Sequence, residues 1–113
     1  MKLMTKELEN LFEKQGDTDG QKNPTAIVKY FHPLSSWYWF GIEYNPATGI
    51  FFGLVFGFEA ELGSFSLQEF EELKISGLPM ERDLWFSPTP IAEVIKEYSK
   101  RTGLHCYAYA EST

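Results

Sequence analysis

Two carboxylates stand one residue apart in Glu59-Ala60-Glu61, and a second acidic pair flanks an arginine in Glu81-Arg82-Asp83. Brought together by a fold, paired carboxylates can move protons or hold a hard cation. The same groups can instead be neutralised by Arg82 in a bidentate ion pair that fixes two loops. Both readings are open on the sequence, and Glu43 is a further carboxylate within the same apolar surroundings. His32 and His105 are the only histidines. His32 with Glu43 or Glu59 could ligate a divalent ion, but no His-x-x-x-His or comparable spacing exists, so no metal is assigned. At a strand end before Pro33, the His32 ring is expected to bond a nearby backbone carbonyl.

Nucleophiles are no better placed. Ser35, Ser36, Ser64 and Ser66 lack a glycine-flanked elbow, and Cys106 lies near a chain end where exposure is expected. A single cysteine rules out an intramolecular disulfide and a thiolate cluster. Gly49, Gly53 and Gly57 fall in or beside strands rather than opening a helix, so no phosphate cradle is expected. Asp17-Thr18-Asp19-Gly20 lacks the terminal Glu of a twelve-residue calcium loop and reads as a plain polar loop. No catalytic residue and no cofactor follow.

Trp37-Tyr38-Trp39-Phe40 carries more weight. Successive strand residues point to opposite faces, so at least one of these rings is expected at a surface or groove. Exposed Trp and Tyr are enriched at binding hot spots, although both Trp could equally lie in the core. The candidate binding residues are therefore Trp37, Trp39, Glu43, Glu59, Glu61, Arg82 and Asp83.

The chain has 113 residues and a formal charge of -6. That balance disfavours duplex nucleic acid, whose binding depends on Lys and Arg displacing counterions. It leaves another protein as the expected partner, a second copy of the chain among them. An acidic mimic of nucleic acid, or a small ligand-binding domain or enzyme, is the alternative. The opening Met1 to Lys6 lacks the apolar core of a secretion signal. The apolar stretch from Ile50 to Phe58 is broken by Gly53 and Gly57 and is far short of a membrane span. A cytoplasmic protein without membrane contact is expected.

The elements that would position these residues make one domain. Thr5 can cap a helix running to Glu13 or Lys14, with Leu8, Leu11 and Phe12 at helical spacing. Ala26 to His32, Trp37 to Tyr44 and Ile50 to Phe58 read as strands, the last two joined by the turn Asn45-Pro46-Ala47-Thr48-Gly49. Symmetric pairing about that turn puts Tyr38, Phe40, Ile42 and Tyr44 on one face with Phe51, Gly53, Val55 and Gly57. Trp37, Trp39, Gly41 and Glu43 then share the other with Phe52, Leu54, Phe56 and Phe58. Neither face is polar, so this hairpin should be central and covered on both sides. Its small residues leave room for neighbouring rings.

Glu61 to Phe65 suggests a short strand or bend. Ser66 caps a helix from Leu67 to about Lys74, ended by Gly77-Leu78-Pro79. Leu84 to Phe86 is a short apolar strand or extended piece. A last helix runs from about Ile91 to Thr102, with Thr89 as N-cap and Gly103 beyond its end. Cys106 to Tyr109 suggests an edge strand, followed by a frayed tail. The fold expected is α+β, a three- to five-stranded antiparallel sheet with about three helices packed on it.

The run Phe51-Phe52-Gly53-Leu54-Val55-x-Gly57-Phe58-Glu59-x-Glu61-Leu62-Gly63-x-Phe65-Ser66-Leu67 resembles the bacterial family called domain of unknown function 2958. Val28 to Pro33, Trp37-x-Trp39, Gly77 to Leu84 and Phe86-x-Pro88-x-Pro90-Ile91 fit the same pattern, as does the opening Met-x-Leu-Met-Thr-Lys. The resemblance covers residues 1–97, leaving the end of the last helix and the tail outside. It implies an accessory role in a bacterium or its mobile elements and transfers no catalytic residue; from the aromatic and acidic residues themselves, a non-enzymatic protein-binding or regulatory protein is the expected function.

Overall fold

The first helix begins where the Thr5 hydroxyl accepts the Leu8 N–H at 3.1 Å, satisfying one of the orphan donors of the first turn. This helix, α1 (Lys6–Gln15), ends at Gly16, whose φ of 64° suits a residue without a Cβ. Phe12 is its buried anchor. The computed structural model describes residues 1–109, and it places ten further elements and a terminal helix after α1.

The stretch expected as one strand, Ala26 to His32, divides in two because its partners change. β1 (Thr25–Ala26) pairs with β9 (Thr89–Pro90), whereas β2 (Val28–Phe31) pairs with β3 (Tyr38–Asn45). β4 (Ile50–Phe56) returns along β3 through a turn in which Asn45 Oδ1 accepts the Ala47 N–H and Gly49 takes φ 71°. β5 (Ala60–Ser66) is a full strand rather than a bend. With β8 (Glu81–Arg82) these form a five-stranded antiparallel sheet in the order β5-β4-β3-β2-β8.

The symmetric hairpin register holds only beside the turn, where Tyr44 faces Phe51. Between Gly41 and Glu43 the pairing slips by one residue, so Ile42 is an extra residue in a β-bulge. Beyond it every side chain changes sides: Phe40 lies with Leu54 and Tyr38 with Phe56, while Trp39 lies with Val55 and Gly41 with Gly53. The bulge carbonyl is not left unpaired, because Gln15 at the end of α1 donates its Nε2 to Ile42 O at 2.8 Å.

α2 (Leu67–Glu72) starts on the Ser66 hydroxyl, which accepts the Glu69 N–H. It stops two residues before Lys74, because the chain enters a tight hairpin of β6 (Lys74–Ile75) and β7 (Leu78–Pro79). Ser76 and Gly77 both have positive φ there, as a two-residue turn between right-twisted strands requires. α3 (Ile91–Thr102) follows β9. Its expected cap, Thr89, lies in β9 instead, and Asn23 supplies the missing acceptor by taking the Ala92 N–H at 2.9 Å. Gly103 closes the helix in the left-handed conformation.

Both sheet faces are covered. Phe40, Ile42, Leu54 and Phe56 pack on Ile91, Val94 and Tyr98 of α3. On the other face Val28, Tyr30 and Phe51 pack on Phe12 of α1, Phe70 of α2 and Leu3. Rings fill this second layer edge to face and stacked, with Phe51 meeting Phe12, Tyr30, Tyr44 and Phe65 at centroid distances of 4.6–5.8 Å. They fit because Gly41 leaves a hollow: a Cβ there would stand 2.9 Å from Val28 and 3.1 Å from the Phe12 ring.

Leu84 to Phe86 is neither strand nor core run. It is a turn that exposes Leu84 and Trp85 and half-buries Phe86, against Phe40. The expected edge strand at Cys106 to Tyr109 reduces to one parallel bridge between Cys106 and Ala60. Cys106 itself is buried, which corrects its expected exposure, and burial raises its thiol pKa. The frayed tail proposed from the sequence falls on residues 110–113, outside the described residues. Among the described residues no helix is long and apolar enough to cross a membrane.

Candidate functional site

Strand order separates the candidate residues. Glu61 lies on β5 and Glu59 just before it, at one edge of the sheet; Arg82 and Asp83 lie at the opposite edge. Four strand spacings intervene, roughly 19 Å. The cluster of Glu59, Glu61, Arg82 and Asp83 read from the sequence therefore does not form. Nor does Arg82 pair with a carboxylate among the described residues: its Nε donates to the Lys2 carbonyl at 3.0 Å and ties the chain start to β8.

Asp83 has a different partner. Lys29 Nζ stands 3.0 Å from Asp83 Oδ2, and Lys29 is only 6% exposed. The ammonium also lies 5.0 Å from the Tyr38 ring centroid and 4.9 Å from that of Tyr98. Burial disfavours its charge, but the interactions with the Tyr98 and Asp83 side chains outweigh that and raise its pKa above 10.5. Burial works against Asp83 as well, and the Lys29 bond with the backbone N–H groups of Trp85 and Phe86 still lowers its pKa. A recess of about 330 Å³ opens beside the pair, lined by Ser87, Thr89, Glu97 and Arg101 among others. A lysine held protonated is not a Schiff-base nucleophile, and a carboxyl held ionised is a poor proton donor near neutrality. The pair pins β8 to β2.

Glu43 is also a structural clamp. Just after the bulge, its Oε2 accepts the backbone N–H of Thr18 at 2.9 Å and the Thr18 hydroxyl at 2.5 Å. Thr18 is buried, so the loop from Gly16 to Pro24 is fastened to β3 at this point. Glu43→Ala is expected to leave both donors unpaired and lower stability by about 1–3 kcal/mol. Thermal denaturation would measure the loss, and the Thr18 amide should lose hydrogen-exchange protection.

His32 uses both ring nitrogens. Its Nδ1 accepts the Leu34 N–H at 3.0 Å, so Nε2 carries the proton and donates to the Leu78 carbonyl at 2.8 Å. The carbonyl bond expected from the sequence is present, and neither nitrogen is left for a metal. Among the described residues no group of three His, Cys, Asp or Glu side chains is placed to hold a metal ion.

The tryptophans do come together with two of the carboxylates. Trp37, just ahead of β3, lies over Gly57, where a Cβ would stand 2.8 Å from its ring. Its centroid is 5.8 Å from that of Trp39 and 5.0 Å from that of Phe58, which meets it edge-on. Trp39 continues inward to Phe70. Both tryptophans are half-buried, whereas Phe58 is 87% exposed and is followed directly by the exposed Glu59 and, two residues on, Glu61. The result is an aromatic ridge anchored in the core at Phe70 and open to solvent at Phe58, with an acidic rim. A wider depression, about 1000 Å³, opens elsewhere, between α1 and the β3–β4 turn.

Sequence reasoning missed Phe58 and Lys29. Phe58 reads from the sequence as the end of a strand, although Gly57-Phe58-Glu59 is short and glycine-led enough to be a turn. Lys29 carries a clearer signal: a lone cation between Val28 and Tyr30 in an apolar strand needs a buried partner.

No curated protein and no solved structure matches the chain. One family description does, over residues 3–104, a span that takes in the whole sheet, all three helices and the tryptophan ridge. By that match the chain belongs to the family described as Protein of unknown function (DUF2958).

Proposed function

We propose that the protein is a non-enzymatic protein-binding or regulatory module whose contact surface is the ridge of Trp39, Trp37 and Phe58 with Glu59 and Glu61 at its rim. The supporting observation is Phe58 itself. A large apolar side chain 87% exposed, yet held edge-on by a tryptophan that is seated over a glycine, is already ordered before any partner arrives. Pre-ordering removes part of the entropy cost of association, and a central aromatic with a charged rim is the common layout of a binding hot spot. The rim selects a partner that carries Lys or Arg around an apolar anchor, and it makes the encounter sensitive to salt.

Phe58→Ser is expected to leave thermal stability within about 1 kcal/mol of the parent, because little buried area is lost. It should weaken partner capture by roughly thirtyfold, the scale of a hot-spot truncation. Quantitative affinity capture from the source cells, comparing the parent with Phe58→Ser, Glu59→Ala and Leu84→Ser, checks this. Leu84→Ser, on the far edge of the sheet, should retain the partner. A partner set unchanged by Phe58→Ser and Glu59→Ala would overturn the reading.

A further inference from the structure

The turn ahead of β9 displays a side chain that the fold does not use. The Trp85 N–H donates to Asp83 Oδ1 at 2.9 Å and the Phe86 N–H to the Asp83 carbonyl at 3.2 Å, so its backbone is fixed. The Trp85 ring is nevertheless 96% exposed, at the rim of the recess beside Lys29 and Asp83. That recess lies between α3, β2 and this turn, away from the β5 edge where Cys106 bridges Ala60. Ligand sites are ordinarily lined by apolar groups with a few polar ones. Here hydroxyls, carboxylates and cations predominate, and several keep hydrogen-bonding capacity to spare. Arg101 Nη2 stands 2.7 Å from Glu97 Oε2, which leaves the other Glu97 oxygen and further guanidinium N–H groups for another partner. Thr89 donates its hydroxyl proton to the Ser87 carbonyl at 2.7 Å and keeps its lone pairs.

We propose that this recess binds one neutral pyranose ring, free or at the end of a glycan. A pyranose has an apolar face, made by its ring C–H groups, and a polar edge, made by its hydroxyls. The C–H face lies on the Trp85 ring, whose π-face carries partial negative charge. At the edge each hydroxyl both donates and accepts. Two adjacent hydroxyls therefore match a guanidinium and a carboxylate held side by side, one accepting from Arg101 and the other donating to Glu97. Ser87 and Thr89 supply hydroxyls for a third. The Lys29–Asp83 and Arg101–Glu97 pairs cancel their own charges, so the floor has no strong attraction for an ion of either sign. Glu93 adds a carboxylate with no cation of its own among the described residues, which disfavours phosphate and sugar acids. Lys29 and Arg101 disfavour an amine in the same way. At about 330 Å³ the recess is at the small end of ligand sites, room for one ring rather than a chain.

Nitrogen–proton correlation spectra of the full chain, titrated with methyl glycosides of glucose, galactose, mannose and N-acetylglucosamine, test this. At least one glycoside should shift the Trp85 indole N–H and the Ser87 and Thr89 amides saturably. Trp85→Ala and Glu97→Ala replace exposed side chains, so both should keep the parent's melting temperature. Glu97→Ala should weaken binding roughly tenfold, the scale of one hydrogen bond to a charged group. Trp85→Ala should abolish saturation. An oligosaccharide ending in the same sugar distinguishes the two sources: equal or tighter binding assigns the site to a glycan end, and loss of binding assigns it to the free sugar. Methylguanidinium and inorganic phosphate should leave all three signals in place. Saturation by either ion instead of the glycosides, or no saturable shift with any glycoside, would overturn the proposal. So would shifts at Ser87 and Thr89 that survive Trp85→Ala undiminished. Phe58→Ser should bind the glycoside like the parent, so the outcome is independent of the aromatic ridge.

Discussion

Gly53→Ala is expected to be the most damaging single-methyl change in the protein, lowering stability by about 3 kcal/mol and the melting temperature by more than about 10 °C. A Cβ at Gly53 would stand 1.8 Å from the Phe40 carbonyl oxygen and 2.9 Å from its carbon. Those are backbone atoms of the neighbouring strand, so no rotamer change relieves the contact. β3 and β4 must separate at the pair next to the Ile42 bulge, where Gly41 faces Gly53. Gly63→Ala, in the next strand of the same row, meets open space and should be nearly neutral. Calorimetry on the two variants side by side checks the prediction. Equal destabilisation would mean that strand propensity, not the Phe40 contact, sets the cost.

Lys29→Met is expected to cost about 2–4 kcal/mol, from the range for breaking a buried ion pair with allowance for the partial exposure of Asp83. The double variant Lys29→Met with Asp83→Asn should be less destabilised than the sum of the two single changes, because it leaves no unpaired charge. The loss should also depend on pH. The lowered pKa of Asp83 means that its contribution is in place above the ordinary carboxyl value of 3.8 and fades as pH falls through the folded value. The raised pKa of Lys29 means that its contribution is in place below 10.5 and fades as pH rises through the folded value. The stability gap between parent and Lys29→Met should thus be widest across the neutral range and narrow at both extremes. Chemical denaturation at several pH values would show it, and a gap that does not vary with pH would remove the ion pair as the cause.

Local chemistry carried most of the fold. Thr5, Ser66 and Gly103 mark helix boundaries because capping depends on a residue and its immediate neighbours. The central hairpin followed from its turn residues and its two apolar faces. What escaped were features decided across the sheet. The bulge at Ile42 depends on Gln15 and the α1 loop being present to satisfy it, which no window around Ile42 records. Thr89 had the right type and position for an N-cap, but pairing with Ala26 claimed it for β9 and left the duty to Asn23. The candidate site was half legible. Trp37, Trp39, Glu59 and Glu61 share one surface because a single hairpin and its next turn carry them. Arg82 and Asp83 seemed close only in chemistry; strand order put them across the sheet, and Lys29, fifty-four positions from Asp83, took the role given to Arg82.

The attachment of the chain's beginning to β8 sets an order of assembly. Lys2 holds Arg82 across 80 positions, and the Leu3 carbonyl receives the Tyr30 hydroxyl across 27. Closing such long loops is slow and is rewarded only after the intervening strands have zipped. On the ribosome, Lys2 must therefore wait beside a half-built sheet until Arg82 leaves the exit tunnel. Removing the first four residues should consequently speed unfolding while leaving the folding rate nearly unchanged, because the β3–β4 hairpin forms from neighbours alone.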